Sequence, residues 1–446
     1  MIRFCSGAAW HRRLWAAAAG LALAGMIAAA GGSSPAAATT GRAGSAGKPA
    51  GGTADCDSLT TCYTPQQIRV AYGIQPLADH GIDGRGQTVV LPALAEHKLS
   101  PPLVSNIRQD LARFDALFRL PPARLQVSTR LAPGASRWLS YGEETLDVEM
   151  VHAIAPAAAI RVILLKASAL ATAGGMITAL TDTVRMGITG GDVISISAGG
   201  GEHCFTGAQV ARLHAALRAA AGRHVTVVAS SGDTGPAGAP CTVSTQAFTP
   251  VKEVSLPASD PLVLAAGGTS LTASHTTGAY MSETAWGLPY GTPGSTFQAS
   301  GGGSSHRFPR PGYQGGVPGI GAARGVPDVS ADASGHTGMA LAISEGRGRT
   351  SIRNSGGTSA TAPFWAALIA LANQYAGHDL GFINPALYRI GRSPRYHMAF
   401  HDITTGNNTV KFPPKTFPGY RARPGWDPVT GWGSPNARML IPLLAR

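Results

Sequence analysis

From Thr88 onward, short unbroken apolar runs alternate with stretches in which apolar residues return every three or four positions. Thr88–Leu91, Ile160–Leu165, Val193–Ser197 and Val225–Ala229 read as strands. Leu103–Phe118, Met176–Arg185 and Ala208–Ala221 read as helices. Strands that are apolar at nearly every position have both faces covered. Their alternation with helices predicts an α/β fold, a mostly parallel sheet with helices on both faces. No internal repeat is found, and residues 56–446 read as one domain.

The beginning of the chain has a different pattern. Arg3, Arg12 and Arg13 precede an apolar run from Leu14 to Ala30, and small residues follow through Ala38. These are the three regions of a secretory signal, assigned to 1–38 with cleavage after Ala30 or Ala38. No basic stop-transfer cluster follows, so a stable membrane anchor is not expected. Residues 39–55, rich in Gly, Ala, Ser and Thr, read as a flexible tether. Export gives the cysteines meaning. Beyond Cys5 there are Cys56, Cys62, Cys204 and Cys241, an even set with three possible pairings. Cys56–Cys62 with Cys204–Cys241 is favoured because the first two are close in sequence.

Composition narrows the class further. With 44% hydrophobic and 13% charged residues the chain can bury a sizeable core. The formal charge of +12 is spread as scattered arginines without a basic stripe, so no nucleic-acid partner is expected.

Four segments carry candidate chemistry. In Tyr141-Gly-Glu-Glu-Thr-Leu-Asp-Val-Glu-Met-Val-His152 the apolar spacing is helical, and Glu143 and Asp147, four apart, share a face. Two carboxylates held together can share a proton, which drives their pKa values apart. Taken alone, the same residues are also an ordinary acidic first turn. Asp233 sits in a Gly-bracketed turn where the strand Val225–Ala229 ends, the end at which open α/β sheets bind ligands. Ser359 stands in a small-residue loop that leads into a strongly apolar helix, with Pro363 expected in its first turn. A helix N-terminus there would favour a nucleophile and a developing oxyanion, and Ser359 as a plain N-cap is the ordinary alternative. Finally, Asp402 and Asp427 lie in loop segments whose oxygens suit a hard cation such as calcium. No histidine stands where an ordinary serine triad needs one; His152 is five residues beyond Asp147 and faces elsewhere.

In order along the chain, Cys62-Tyr-Thr-Pro-Gln-Gln, the Glu143–Asp147 helix, Ser-Gly-Asp233-Thr-Gly and Gly301-Gly-Gly-Ser-Ser-His-Arg-Phe-Pro309 come first. Gly325-Val-Pro-Asp-Val329, Gly-Thr-Ser359-Ala, His401-Asp-Ile-Thr-Thr-Gly-Asn-Asn408 and Gly425-Trp-Asp-Pro428 complete the set. Together they resemble the sedolisin (serine-carboxyl peptidase) family over nearly all of the chain after the tether. The resemblance implies a subtilisin-like fold and an extracellular, acid-active peptidase acting as a monomer on proteins or peptides. It implies Ser359 as nucleophile, Glu143 as general base, Asp147 as the carboxylate orienting Glu143, and Asp233 as the oxyanion donor. Asp233 must be protonated to donate. It also implies one structural calcium ion on the carboxylates of Asp402 and Asp427 and the carbonyls of Ile403, Arg423 and Gly425.

The chain departs from the family pattern in places. Only the tether separates the signal from the mature-like start, where members carry a long prodomain, so folding is expected without one. Ser195-Ile-Ser-Ala-Gly199 has Ala198 where members have Trp. An extra acid of the carboxylate network is replaced by Arg108 or Gln109, and Arg423 replaces a glycine in the calcium loop. A non-catalytic binding protein on the same fold and a tripeptidyl exopeptidase are the competing readings.

Overall fold

The strands predicted from the apolar runs all belong to one sheet. The computed structural model describes residues 62–95, 107–133, 142–189, 191–241, 250–287, 298–344, 350–412 and 415–446. The expected signal (1–38), the tether (39–55) and Cys56 lie outside the described residues, as does the predicted helix start at 103–106.

Helix α1 (Pro65–Ala71) opens the described chain. The Thr64 hydroxyl accepts from the Gln67 N–H while the Gln67 side chain accepts from the Thr64 N–H, a reciprocal cap with Pro65 just inside. There follow β1 (Thr88–Ala95), α2 (Ile107–Phe118), β2 (Arg124–Ser128), α3 (Glu143–Ile154) and β3 (Ala159–Lys166). Next come α4 (Ala173–Gly187), β4 (Val193–Ile196), α5 (Gly207–Ala221) and β5 (Thr226–Ser230). The chain then forms β6 (Leu264–Ala273), β7 (Tyr280–Ala285) and β8 (Val329–Asp332). A hairpin of β9 (Ala340–Ser344) and β10 (Thr350–Asn354) leads into α6 (Thr358–Ala376). The sheet runs β8-β6-β5-β4-β1-β3-β2, parallel throughout, and β7 adds antiparallel to β6.

The unbroken apolar strands have the consequence expected of them. Successive side chains of a strand point to opposite faces, and each face has its own core. Val89, Leu91, Ile160, Val162 and Leu164 pack with α3 and α6. Val90, Ile163, Leu165, Ile194 and Ile196 pack with α4 and α5. Helix α6 is buried over Thr358–Asn373 and packs directly on α3. No described helix is long and apolar enough to cross a membrane.

Candidate active site

Four elements converge at the carboxyl end of the sheet: the first turn of α3, the residues after β4, the turn after β5, and the start of α6. Helix α3 begins at Glu143, after Gly142. Asp147, one turn on, is 2% exposed. Its Oδ1 lies 2.7 Å from the hydroxyl of Ser197, the residue after β4. Ser359, 1% exposed, has its side chain against the Glu143 carboxyl, close enough to oppose the rise in its pKa. Glu143 Oε1 is buried without a hydrogen-bond partner. The four-residue spacing read from sequence brings the two carboxylates close enough for the charge of Asp147 to raise Glu143.

Electrostatics follow from the burial. Glu143 is pushed well above the usual carboxylate range, first by desolvation, then by the charge of Asp147, and the Ser359 contact offsets part of this. Desolvation likewise drives Asp147 well upward; the Ser197 hydrogen bond pulls it down and the Glu144 charge adds to the rise. Glu144, 4% exposed, accepts from the Leu94 N–H at 2.9 Å. Three acids therefore stand in the first five residues of α3.

Ser359 is not the helix cap. Gly357 holds that position at φ 76° and ψ 164°, a conformation that costs a residue without Cβ little, and its N–H donates to the Ala333 carbonyl at 2.7 Å. Thr358 is the first helical residue and gives both its N–H and its hydroxyl to Asp233 Oδ1, each at 2.7 Å. Asp233 thereby serves as an acceptor for the helix start and is brought beside Ser359. Burial raises its pKa, and the two Thr358 bonds oppose the rise. Because the helix starts at Thr358, Pro363 is its sixth residue, inside the helix and not in the first turn as expected.

A small cleft lies between the residues after β4, the turn after β5 and the start of α6, lined by Gly199, Ser230, Asp233, Ser255, Thr358 and Ser359 among others. Ala198, at the position of the family's Trp, packs on the core shared with α4 and α5, and Gly199 reaches the cleft. Cys204 and Cys241 form the expected disulfide, S–S 2.04 Å, close in sequence to Ala239 and Pro240 of the cleft wall. Arg108 and Gln109 open α2. His152 is fully buried and turned to Asp115 (3.0 Å) and the Pro121 carbonyl (2.9 Å), outside the site.

The five residues expected to hold a cation lie in two touching loops. The Gly425 N–H donates to both oxygens of Asp402, at 3.1 and 3.2 Å, and the Arg423 N–H to Asp427 Oδ2 at 3.2 Å. Two carboxylates thus flank the 423–427 segment, and among the described ion pairs no basic side chain neutralises either. The Arg423 guanidinium lies over Gly319, where a Cβ would meet it at 1.5 Å, so the side chain leaves the loop and only its backbone remains there. Both carboxylates accept backbone hydrogen bonds, and with the nearby carbonyls they make an all-oxygen donor set of the kind a hard cation takes.

The structure brings the sequence-predicted Glu143, Asp147, Asp233 and Ser359 into one place. Ser197 lies in the Ser195-Ile-Ser-Ala-Gly199 segment, which is read from sequence only for Ala198, so its contact with Asp147 goes unread.

No protein-family model matches the chain. Kumamolisin from Bacillus sp. (strain MN-32) is 36% identical over 399 residues, covering 86% of this chain and 64% of kumamolisin. Sedolisin from Pseudomonas sp. (strain 101) is 37% identical over 182 residues, 41% of this chain and 28% of sedolisin. Human tripeptidyl-peptidase 1 is 30% identical over 272 residues, 56% of this chain and 43% of that protein. The chain thus spans less than two thirds of the length of these relatives. Among solved structures, Pseudomonas sedolisin, a serine-carboxyl proteinase complexed with two molecules of pseudo-iodotyrostatin, superimposes with a TM-score of 0.69 at 26% identity, covering 86% of this chain and 98% of that one.

Proposed function

The chain belongs to the sedolisin family, and from that premise we propose that it is a secreted serine-carboxyl endopeptidase that cleaves proteins at acidic pH. The observation that carries this reading is the convergence of four groups: the Glu143 carboxyl meets the Ser359 side chain, the Ser197 hydroxyl stands between Asp147 and the Ser359 carbonyl, and Asp233 is bonded to Thr358, the residue before Ser359. In this reading Ser359 Oγ attacks the peptide carbonyl as its proton passes to Glu143. The oxyanion that forms is met by the Ser359 N–H and by a proton carried on Asp233. The C–N bond breaks as Glu143 returns its proton to the departing amine. Water then repeats the sequence on the acyl-enzyme, which releases the new carboxyl end and restores Ser359.

One calcium ion belongs to the proposal, held by Asp402, Asp427 and the carbonyls of Ile403, Arg423 and Gly425. When bound, it supplies a fixed positive charge that ties the two loops together.

The test is cleavage of acid-denatured casein from about pH 3 to 8 in calcium, wild type beside Ser359→Ala. Activity that rises below about pH 5 and vanishes in the variant supports the reading. Activity that survives Ser359→Ala removes the nucleophile and the proposal with it. The similarity to tripeptidyl-peptidase 1 favours a second reading, removal of tripeptides from N-termini. Mass spectrometry of the products separates internal cuts from a tripeptide ladder.

A further inference from the structure

Ser197 touches both halves of the site. Its hydroxyl lies 2.7 Å from Asp147 Oδ1 and 3.3 Å from the backbone carbonyl of Ser359. A hydroxyl has one hydrogen to donate and lone pairs to accept with, so it can donate to only one of these oxygens at a time. The carbonyl is available for a specific reason. In a helix it would accept from the N–H four residues ahead, and that residue is Pro363, which has none. The nucleophile's own carbonyl therefore lacks its helical donor, and a buried hydroxyl (Ser197 is 6% exposed) stands where that donor is missing.

We propose that Ser197 is a positioning residue that couples the protonation of Asp147 to the placement of Ser359. The inference rests on the peptidase reading given above. With Asp147 ionised, the hydroxyl donates to the carboxylate. With Asp147 protonated, the carboxyl donates to Ser197 Oγ, and the hydroxyl hydrogen turns to the Ser359 carbonyl. The start of α6 is thus held by an additional hydrogen bond in one protonation state and released in the other. Helix α3 itself carries Glu143, Glu144, Glu149 and His152, of which Glu144 acts directly on Asp147, and Asp233 after β5 acts on Glu143. Of the elements packed on α3, α2 carries Arg108, Asp110, Arg113 and Asp115, α1 carries Arg69, and β3 carries Arg161 and Lys166. Strands β1 and β9 and helix α6 carry no charged side chain. Loss of the Ser197 bond removes a contact that favours ionised Asp147, so the carboxyl would hold its proton to higher pH.

The experiment compares kcat, KM and their pH profiles for wild type, Ser197→Ala, Ser197→Thr, Pro363→Ala and the Ser197→Ala/Pro363→Ala double variant, after thermal unfolding has shown each to be folded. Ser197→Ala is expected to lower kcat by about tenfold or more with KM little changed, and to move the acid limb to higher pH. Ser197→Thr keeps the hydroxyl and should recover most of the loss. Pro363→Ala restores the helical N–H to the Ser359 carbonyl, so removing the Ser197 hydroxyl should cost less in that background. A Ser197→Ala enzyme with wild-type kcat and profile overturns the proposal and leaves the peptidase reading standing. Cleavage that survives Ser359→Ala defeats the peptidase reading instead. The coupling can also be read without turnover, by ¹³C NMR titration of the aspartate carboxyls in the full chain carrying Ser359→Ala. The Asp147 titration must move to higher pH with Ser197→Ala; a titration that stays in place overturns the coupling.

Discussion

Thr358 gives both of its hydrogen-bond donors to the same oxygen of Asp233, so Oδ1 is fully engaged and Oδ2 is left to carry any proton. A protonated Oδ2 beside Ser359 is what an oxyanion donor requires, and the raised pKa of Asp233 extends that state above the usual carboxylate range.

Asp233→Asn tests the assignment through the alkaline limb of the pH profile. The amide oxygen can still accept from Thr358, and its NH₂ donates at every pH. We expect kcat at the acidic optimum to fall about tenfold or more, while the alkaline limb moves up or disappears. An unchanged alkaline limb would assign that limb to another group.

Glu144 tests the acid limb. Burial is the main reason Glu143 and Asp147 are raised, and the charge of Glu144 adds to both. Glu144→Gln keeps an oxygen for the Leu94 N–H and removes the charge, so both pKa values should fall. The acid limb of kcat/KM should then move measurably to lower pH. No movement would mean that Glu144 is electrostatically silent in the working enzyme.

Asp332 connects the site's surroundings to stability. Burial lifts its pKa to about 8, with Oδ2 unpaired, while Thr337 and the Leu271 N–H pull the other way through Oδ1. Glu149 and Glu283, also buried, are raised in the same sense. An acid raised on folding favours the folded state while it is protonated. Its contribution is complete below the unfolded pKa and is lost as pH climbs through the folded one. Tm should therefore decline between about pH 4 and 8, and Asp332→Asn, a neutral isostere, should flatten that decline. A variant with the wild-type slope would remove Asp332 from the account.

Calcium removal is the fourth test. Chelation should lower Tm, and calcium should restore it with saturable dependence on concentration. Asp427→Asn should weaken that dependence at least tenfold, since one of two carboxylates is gone. A Tm indifferent to chelator and calcium alike would refute the site.

How much of this was legible beforehand depends on how local each signal was. Glu143 and Asp147 were readable because helix geometry alone places residues four apart on one face. Asp233 and Ser359 were readable because each sits at a junction between an apolar element and a small-residue turn. Strand β6 escaped the pattern because Gly267 and Gly268 interrupt its apolar run. A Cβ at the first would meet Pro327 at 2.6 Å and at the second Ala333 at 2.6 Å, so the glycines record close packing and not a break. Ser197 was invisible for a different reason. Its importance arises only where the end of β4 meets Asp147 and the carbonyl that Pro363 leaves open.

Helix α6 is lined with alanine: Ala360, Ala362, Ala366, Ala367, Ala370 and Ala372 are all buried, and the helix rests on α3. Small side chains let the two axes approach closely, and the nucleophile rides on one helix while the base and its partner ride on the other. A bulkier residue at any contact between them would act as a spacer, lengthening the reach from Ser359 to Glu143 while also costing the fold roughly 1–3 kcal/mol. Mutational tolerance in this chain should therefore be graded by distance from that seam, with interior positions lacking any chemical group of their own losing activity along with stability.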